Sequence, residues 1–588
     1  MIFLIFNFLH FDLVQVHPMS FADNGEKPAD LCESPIYCYG KLLDVIQMSG
    51  VFNDSKDFVD LPMKYDKAEI LQRFNDLMNK TQNNASRDDL DTFVKANFEF
   101  ETEMLNATLT DWTPNPKLIS KISDERYKKW VNYLNEFWKT LARRMSEHVR
   151  DHPDRHSLIY VNNTFIIPGG RFKEFYYWDT YWVIEGLLQC EMYNTTRGII
   201  ENFISIVNTY GFIPNGGRVY YLMRSQPPLL ISMVDKYFTE TGDWDFVERN
   251  LDSLEKEFSY WMKHKSIGFS KDGKNYTLSR YVTLSLGPRP ESYKEDLEYA
   301  KKLNSSERDA FYNHVKAAAE SGWDFSSRWF VGKNGTWTHD FLNISAGDIL
   351  PVDLNAFIER NARTLAKFFH IKNNTEKSLH YDTIAANYRD AIDALLWNEE
   401  DGTWYDFDKK NKQQRKIFYL SNLTPLYTMS YDKSRSYYYG QRSVDYLHKH
   451  KIKDYLGGMP TSLSVSEQQW DSANAWAPLQ SIVVEGLRGT SYPPAEQLAQ
   501  SFALNFLQTT YLAFDKYGKM FEKYDTANQG ESGGGGEYKA QDGFGWTNGV
   551  ILQFLNDYPM ASSEYMEQKK PRDQIVAIKP RNSSEPQR

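Results

Sequence analysis

Helical periodicity runs through most of this chain of 588 residues and limits the folds that are open to it. From Tyr127 to Met145, apolar side chains recur every three or four positions, with Lys and Arg between them. The same spacing runs from Ile199 to Val207 and is ended by Gly211. Helices separated by short turns over roughly 450 residues are typical of stacked antiparallel helix pairs.

Further helices are predicted on the same grounds, together with one hairpin. The predicted helices follow Pro227 and Pro228, run from the turn at 241–243 to about His264, from Leu354 to Phe368, and from about Thr383 to Leu396. The strand-like TWYDFD, after the turn Asp401-Gly402, predicts a small hairpin between helices. We find no internal repeat. We therefore expect a single all-α domain over residues 21–560 and a polar, disordered tail over residues 561–588.

Charge and hydropathy exclude several classes of partner. The net charge of −10 argues against nucleic acid, which normally needs a basic face. No run of about 20 apolar residues exists, so we expect no membrane span. The sequence contains no phosphate-binding loop, HExxH or CxxC, so we expect no nucleotide, no other cofactor and no catalytic metal. The oligomeric state stays open.

The N-terminus and the glycosylation acceptors bear on the compartment. Residues 1–20 are apolar but lack a positive n-region, so they are either a weak signal peptide or the result of an incorrect start codon. Cys32 and Cys38 are close enough in sequence to pair, and Cys190 is typical of a buried small residue. Many Asn-x-Ser/Thr acceptors, evenly spread, predict a secreted, N-glycosylated protein; they are Asn53, Asn79, Asn84, Asn106, Asn162, Asn194, Asn275, Asn304, Asn334, Asn343, Asn373, Asn422 and Asn582.

Six loop segments combine an Arg or a carboxylate with an aromatic residue. They are 168–182, 211–228, 287–296, 320–330, 468–480 and 521–538. Guanidinium and carboxylate groups can bind vicinal hydroxyls bidentately, and aromatic faces can cover the apolar side of a sugar ring. One such loop alone is more often structural. Six in one helical chain predict a sugar-binding site built from loops.

Two of these segments resemble the recognition sequences of the trehalase family, in its soluble, secreted insect form. They are PGGRF-x-E-x-Y-x-WD-x-Y, from Pro168, and QWD-x-x-x-AW-x-P, from Gln469; the resemblance extends from about Cys32, through DSKDFVDLPMK at 54–64, to about Tyr558. It implies an (α/α)6 toroidal barrel of antiparallel helix pairs, with long loops and minor hairpins at its mouth. It also implies hydrolysis of α,α-trehalose to two glucose molecules with inversion. Ala473 and Ala477 replace the prolines that are usual in the family, which removes a backbone constraint but no functional group.

The same resemblance assigns two catalytic carboxyl groups. Asp324 is implied as the general acid, and the apolar wall of Trp323, Phe325 and Trp329 would raise its pKa, whereas Arg328 would lower it by pairing. The alternative is that Asp324 only caps a helix starting at Ser326. Glu522 is implied as the general base, with Lys523 and Asp525 beside it to tune its charge; the alternative is a solvated Glu at a helix end.

Substrate contacts are implied for twelve further residues: Arg171, Trp178, Asp179, Asn215, Arg224, Ser225, Gln226, Arg289, Pro290, Glu291, Gly322 and Glu537. The alternative for each arginine is a structural ion pair with a neighbour, for example Arg171 with Glu174. The glycine run 533–536 is predicted to be either a lid that carries Glu537 inward or a flexible surface loop.

Three other functions compete with this interpretation. A glucoamylase-like α-glucosidase shares the helical barrel, but the two recognition sequences argue against it. An inactive sugar-binding glycoprotein is disfavoured because both expected carboxyl groups are present. An adhesion or receptor ectodomain rests on the glycosylation acceptors alone, with no repeat or anchor in its support.

Overall fold

A computed structural model describes residues 32–559 of the chain. The predicted signal peptide at 1–20 and the predicted tail at 561–588 lie outside the described residues. Within residues 32–559, no helix is long and apolar enough to cross a membrane. A disulfide joins Cys32 to Cys38, and Cys190 is a buried free thiol, as the sequence predicts.

A small helical unit over residues 32–98 precedes the main body. Its helices are α1 (Lys41–Met48), α2 (Ser55–Val59), α3 (Lys67–Lys80) and α4 (Arg87–Asn97). They share a hydrophobic core in which the Phe58 and Phe98 rings meet edge to face at 5.3 Å. Tyr176, Tyr220 and Tyr221, which belong to later loops, pack into the same core. We call residues 32–98 the N-terminal unit.

Twelve of the remaining helices form two concentric rings. After α5 (Lys117–Lys121), the outer ring consists of α6 (Glu125–Leu141), α9 (Tyr193–Tyr210), α11 (Trp244–Lys265), α15 (Thr375–Ala391), α17 (Ser436–Lys449) and α19 (Pro493–Tyr517). The inner ring consists of α8 (Asp179–Gln189), α10 (Leu230–Thr241), α14 (Val352–Ile371), α16 (Thr424–Thr428), α18 (Ala477–Arg488) and α20 (Gly545–Asp557). Outer and inner helices alternate along the chain. Each inner helix packs against the next, and α20 packs back onto α8. The predicted (α/α)6 barrel is therefore confirmed.

The other elements are short and lie between the barrel helices. They are α7 (Glu147–Asp151), α12 (Tyr293–Ala300), α13 (Ser305–Glu320) and the strands β1 (Met104–Asn106), β2 (Ala142–Met145), β3 (Phe165–Ile166), β4 (Ser266–Lys271), β5 (Lys274–Ser279), β6 (Ile349–Leu350), β7 (Trp397–Asn398), β8 (Thr403–Trp404), β9 (Phe407–Asp408), β10 (Gln413–Gln414), β11 (Asn474–Trp476) and β12 (Lys523–Asp525). The strands form small antiparallel sheets in the orders β1-β2-β3, β10-β9-β6, β4-β5, β7-β8 and β11-β12.

Most predicted helices occur at the expected places, with shifted ends. Gly211 ends α9 in the left-handed conformation, at φ 87°. The apolar pattern that runs on to Met145 is wrong as helix beyond Leu141, because β2 pairs there with β1 and β3. The predicted TWYDFD hairpin is divided: β8 pairs with β7, whereas β9 pairs with β6 and β10.

A buried polar network crosses the inner ring. Every inner helix contributes to it, through Tyr181 and Glu185 (α8), Lys236 (α10), Arg360 (α14), Tyr427 (α16), Ser481 and Glu485 (α18) and Gln553 (α20). The Lys236 ammonium lies 2.7 Å from Glu185 and 3.8 Å from Glu485. Gln553 donates to Glu485 at 2.6 Å. Buried ions require such partners, because charge without a partner is costly inside a protein.

Hydrogen-bonded tyrosines extend this network to the two remaining helices. The hydroxyl groups of Tyr181 and Tyr427 lie 2.5 Å apart, and the Arg360 guanidinium lies 4.9 Å from the centre of the Tyr427 ring. Polar contacts therefore link all six inner helices, and they fix which helix lies beside which.

Two glycines bring the first and last inner helices together. A Cβ atom on Gly549 of α20 would lie 1.9 Å from the Trp182 carbonyl oxygen of α8, and one on Gly186 would lie 2.6 Å from the Gly549 Cα atom. Contact at this distance excludes any side chain at either position. The barrel can close at α8–α20 only because both residues are glycine.

Gly549→Ala is expected to destabilise the protein by about 3 kcal/mol, because the added methyl group must push backbone away from backbone. The control is Gly198→Ala on the outer helix α9, where the added Cβ would meet the Asn163 side chain at 3.2 Å instead. Thermal denaturation should show a clearly lower Tm for Gly549→Ala alone. Equal Tm values for the two variants would contradict a closure that depends on these glycines.

Candidate active site

The main cavity lies at one end of the barrel, among the loops that precede the inner helices. All of its lining residues come from the connections that lead into α8, α10, α14, α18 and α20, or from the first turns of α8 and α20. Each of these connections ends where an inner helix begins, so they collect at the same end of the ring. Among the described residues, the connection into α16 contributes none of the lining.

All six segments predicted from the sequence contribute to this cavity. Ten of the predicted contact residues line it, together with both predicted carboxyl groups: Arg171, Trp178, Asp179, Asn215, Arg224, Gln226, Arg289, Glu291, Gly322, Glu537, Asp324 and Glu522. Ser225 and Pro290 are buried behind the wall instead. The Ser225 hydroxyl donates to the Ile213 carbonyl, and the Pro290 carbonyl accepts from Gln47.

Asp324 has a pKa suited to a proton donor. The pKa of its carboxyl group is raised to about 7, chiefly by burial; Arg289 and Arg224 act to lower it, and Glu537 acts to raise it. A carboxyl group with this pKa carries its proton over much of the pH range below neutrality.

The alternative that Asp324 only caps a helix is wrong. The Ser326 side chain, rather than Asp324, caps the short turn that follows by accepting from the Arg328 amide. Arg328, which would lower the pKa of Asp324 if the two paired, has other partners. The Arg328 guanidinium is buried between Asp353 and Asp406 and donates to both at 2.7–2.9 Å.

Glu522 is held from two sides. Its side chain accepts from the Tyr538 hydroxyl at 2.9 Å and from the Gln541 amide at 3.2 Å. Burial raises the pKa of Glu522, and Lys523, Tyr538 and Gln541 oppose that rise by favouring the ionised form. The residue is 1% exposed, so the alternative of a solvated helix-end Glu is wrong.

Strand pairing places Glu522 beside another part of the cavity wall. β12, which follows Glu522 directly, pairs with β11, and Trp476 lies opposite Lys523. The Lys523 ammonium donates to Gln469 at 2.7 Å, and the Gln469 amide donates to the Asp324 carbonyl at 2.6 Å. This chain of contacts joins the segment of the predicted base to the segment of the predicted acid. The predicted neighbour Asp525 accepts instead from the amides of its own turn.

Asp179, the first residue of α8, lies in the electric field of both carboxyl groups. Its pKa is raised well above the usual value by burial, and then by Glu522 and Asp324. Asp179, Asp324 and Glu522 are thus close enough for their mutual repulsion to favour protonation of some of them.

Each of the three predicted arginines has a carboxylate partner. Arg224 lies 2.6 Å from Glu291, and Arg289 lies 2.7 Å from Asp296 and 2.9 Å from Glu537. Paired in this way, a guanidinium group keeps a fixed orientation and can direct its remaining N–H groups at sugar hydroxyls. Arg171 is the exception to the neighbour pairing suggested by the sequence. Its partner is Asp54 of the N-terminal unit, whereas Glu174 pairs with Lys56.

Aromatic residues form the rest of the lining, and most were not among the predicted contacts. The additional lining residues are Phe172, Tyr176, Tyr221, Ser292, Trp470, Trp476, Tyr538, Phe544 and Trp546. Trp470 and Trp476 lie inside a segment that the sequence singles out, so the pairing of carboxylate and aromatic residues could have identified them. Phe544 directly precedes the apolar helix α20 and Trp546 lies in its first turn, where nothing in the sequence separates them from core residues.

The glycine run 533–536 is packed against neighbouring segments. The Gly533 amide donates to the Lys523 carbonyl, the Gly534 amide to Asn474, and the Gly536 amide to the Glu467 carbonyl. A Cβ atom on Gly536 would meet Gln469 at 2.9 Å, whereas one on Gly534 would meet nothing within 4 Å. Residues 534–536 are nevertheless exposed, so the lid and the flexible surface loop both stay predictions.

A helical double ring whose mouth holds paired carboxyl groups, guanidinium groups and aromatic rings defines a glycoside hydrolase of the (α/α)6 type. A family model for trehalase matches residues 50–559. The chain is similar to the trehalase of Pimpla hypochondriaca, with 50% identity over 537 residues that cover 91% of this chain and 92% of the relative. It is also similar to the trehalase of Homo sapiens, with 42% identity over 528 residues and 90% coverage of both. The chain belongs to the trehalase family.

A solved structure has the same fold. The neutral trehalase Nth1 from Saccharomyces cerevisiae matches with a TM-score of 0.57 and 24% identity, covering 72% of this chain and 82% of that one. Within residues 32–559, no group of three or more His, Cys, Asp or Glu side chains is arranged to hold a metal ion.

Tyr538→Phe is expected to move the acidic limb of the kcat/KM profile for sugar hydrolysis to higher pH. Glu522 must be ionised to accept a proton, so activity falls as the pH drops through its pKa. Loss of the Tyr538 O–H removes support for the ionised form and raises that pKa further. The alkaline limb, which we assign to the predicted acid Asp324, should not move.

Tyr517→Phe is the matched control for this profile, because it removes a tyrosine–glutamate hydrogen bond to Glu531 on the exposed surface. Its profile should equal that of the unmodified protein. If Tyr538→Phe also leaves the acidic limb in place, the hydroxyl has no part in the charge state of Glu522.

Proposed function

We propose that this chain hydrolyses α,α-trehalose with inversion, with Asp324 as the general acid and Glu522 as the general base. The observation that carries the proposal is the difference between two carboxyl groups on one cavity wall. Burial outweighs the other influences on Asp324 and leaves its pKa raised to about 7, whereas Glu522 accepts two hydrogen bonds that favour its ionised form. Inverting glycosidases need this division of roles.

The reaction follows from these charge states. Asp324 donates its proton to the oxygen that bridges the two glucose units, and the bond from that oxygen to one anomeric carbon breaks. Glu522 takes a proton from a water molecule, which attacks the same carbon from the opposite face of the ring. Both carboxyl groups have then exchanged their charge states, and exchange of protons with solvent restores them.

The cavity suits a neutral disaccharide. Its lining combines guanidinium, carboxylate and amide groups with aromatic rings, which suits the hydroxyl groups and the apolar faces of a sugar. We assign hydroxyl binding to the polar lining, namely Arg171, Asp179, Asn215, Arg224, Gln226, Arg289, Glu291 and Glu537, and ring contact to Trp178 and to the backbone at Gly322. Ser225 and Pro290 support this wall from behind through their hydrogen bonds.

Glucose release from trehalose, maltose and sucrose by the purified protein tests the substrate. We expect trehalose to be hydrolysed and the other two sugars to react far more slowly. Asp324→Asn and Glu522→Gln should each lower kcat by about 10²–10⁴-fold while the fold persists, because each removes one proton-transfer group. Preference for maltose would identify an α-glucosidase. Sugar binding without release of glucose would identify an inactive relative.

The anomeric form of the first product tests inversion. The attacked glucose should leave as the β anomer and the other glucose as the α anomer, so proton NMR in the first minutes should show equal amounts of both. A retaining enzyme would release two α anomers first. That result would remove Glu522 from the role of a base acting through water.

We also propose that the chain is a secreted glycoprotein consisting of one hydrolase domain over 21–560 behind a cleaved segment at 1–20. Eleven of the twelve acceptor asparagines in the described part of the chain are exposed. Asn422 is the exception: it is 1% exposed and donates to the Ile417 carbonyl and to the Tyr446 hydroxyl.

Mass spectrometry of glycopeptides from protein secreted by eukaryotic cells should therefore find glycan at several exposed acceptors and none at Asn422. A glycan is attached to the amide nitrogen of asparagine. In Asn422 this nitrogen is buried in the folded barrel and donates two hydrogen bonds. Secretion without glycan at any exposed acceptor would contradict the proposed glycosylation. Glycan at Asn422 would require modification before that part of the barrel folds.

A further inference from the structure

The N-terminal unit touches two of the connections that form the cavity. Gln47 donates to the Pro290 carbonyl at 3.0 Å, and Lys294 donates to the Phe52 carbonyl at 2.8 Å. These contacts lie behind the segment that carries Arg289 and Glu291. The unit thus supports the cavity wall, although none of its residues lines the cavity.

The second connection is held by an ion pair. Arg171 donates from Nε to Asp54 Oδ2 at 2.5 Å and from Nη2 to Asp54 Oδ1 at 2.7 Å. Burial acts to raise the pKa of Asp54, but its hydrogen bonds and charge interaction with Arg171 outweigh burial and lower it. Asp54 therefore stays ionised, and its two oxygens hold the plane of the guanidinium group.

This pairing leaves part of the Arg171 side chain for the cavity. Nε and Nη2 are taken by Asp54, and no acceptor in residues 32–559 takes Nη1, while Arg171 lines the cavity. The backbone of Arg171 is fixed independently, because its amide donates to the Gln541 side chain at 2.8 Å. Gln541 also holds Glu522 through its own amide. Arg171 is thereby placed relative to the proposed base.

Glu174 is not free to replace Asp54 as the partner of Arg171. Glu174, the closest candidate in sequence, is fully buried and lies 2.8 Å from Lys56 and 3.5 Å from Arg218. Glu174 also accepts from the Tyr176 hydroxyl. If Asp54 lost its charge, Arg171 would keep no carboxylate that binds two of its nitrogens and so fixes the orientation of the guanidinium group.

We propose that Asp54 is a positioning residue for the hydrolysis: it acts through Arg171, which it holds in the orientation that meets the sugar. The proposal rests on the activity proposed above. It assigns the N-terminal unit a part in the active site, since the residue that sets a contact on the cavity wall lies 117 positions before that contact.

Asp54→Asn tests the proposal with little disturbance of the fold. Asp54 also caps α2 by accepting from the Lys56 amide at 2.9 Å, and asparagine can take over that role. The substitution removes the charge and one of the two bonds to Arg171. We expect kcat/KM for trehalose to fall by about 10- to 100-fold, as small displacements of positioning groups do, with Tm nearly unchanged.

Asp66→Asn is the matched control, because Asp66 directly precedes α3 of the N-terminal unit and accepts from the guanidinium group of Arg155, which does not line the cavity. It should keep full activity. The same substitution is then made in an Arg171→Lys variant, which lacks the planar guanidinium group. There, Asp54→Asn should lower kcat/KM by less than about 3-fold, because the two residues no longer act as a unit.

The outcomes separate the two proposals. If the unmodified protein does not hydrolyse trehalose, the proposed function fails. If the unmodified protein is active and the Asp54→Asn variant has the same kcat/KM, the positioning role is wrong. An equal loss from Asp54→Asn in both backgrounds would also overturn the proposal, because Asp54 would then act without Arg171.

Discussion

The close contact of Gly186 with Gly549 determines whether the barrel can exist as a closed ring. The first and last inner helices meet there without an intervening side chain. The connection into α8 supplies Trp178 and Asp179, and the connection into α20 supplies Glu522 and Tyr538. Closure therefore brings the segment that carries Glu522 beside Trp178 and Asp179, whereas Asp324 reaches the same cavity from the connection into α14.

Charge compensation is the second constraint on the mouth. Arg224, Arg289 and Arg171 each have a carboxylate partner, so the site contains many charged groups but little uncompensated charge. A neutral sugar is better served by oriented N–H and carboxylate groups than by a strong net field. Asp324 is the contrasting case, since burial outweighs its distant arginines and keeps its proton in place.

The sequence predicted the outer helices and the segments of the site for clear physical reasons. α6 and α9 each keep a polar face, so their periodicity is visible, whereas α8 and α20 are buried on nearly all sides and lack it. The cavity segments stand out by residue type alone. Residue types do not reveal which distant segments pair. For this reason the sequence suggested Glu174, rather than Asp54, as a partner of Arg171.

During synthesis, the ribosome releases α8 long before α20. Until the last helix arrives, the nascent chain carries an open crescent of inner helices whose apolar edge has no partner, and closing it needs contacts of very high sequence separation. Such an intermediate exposes hydrophobic surface, which favours aggregation and recruits chaperones. A chain that stops short of Gly545 would lack the whole of α20, so quality control in the cell would meet an unclosed barrel rather than a weakened enzyme.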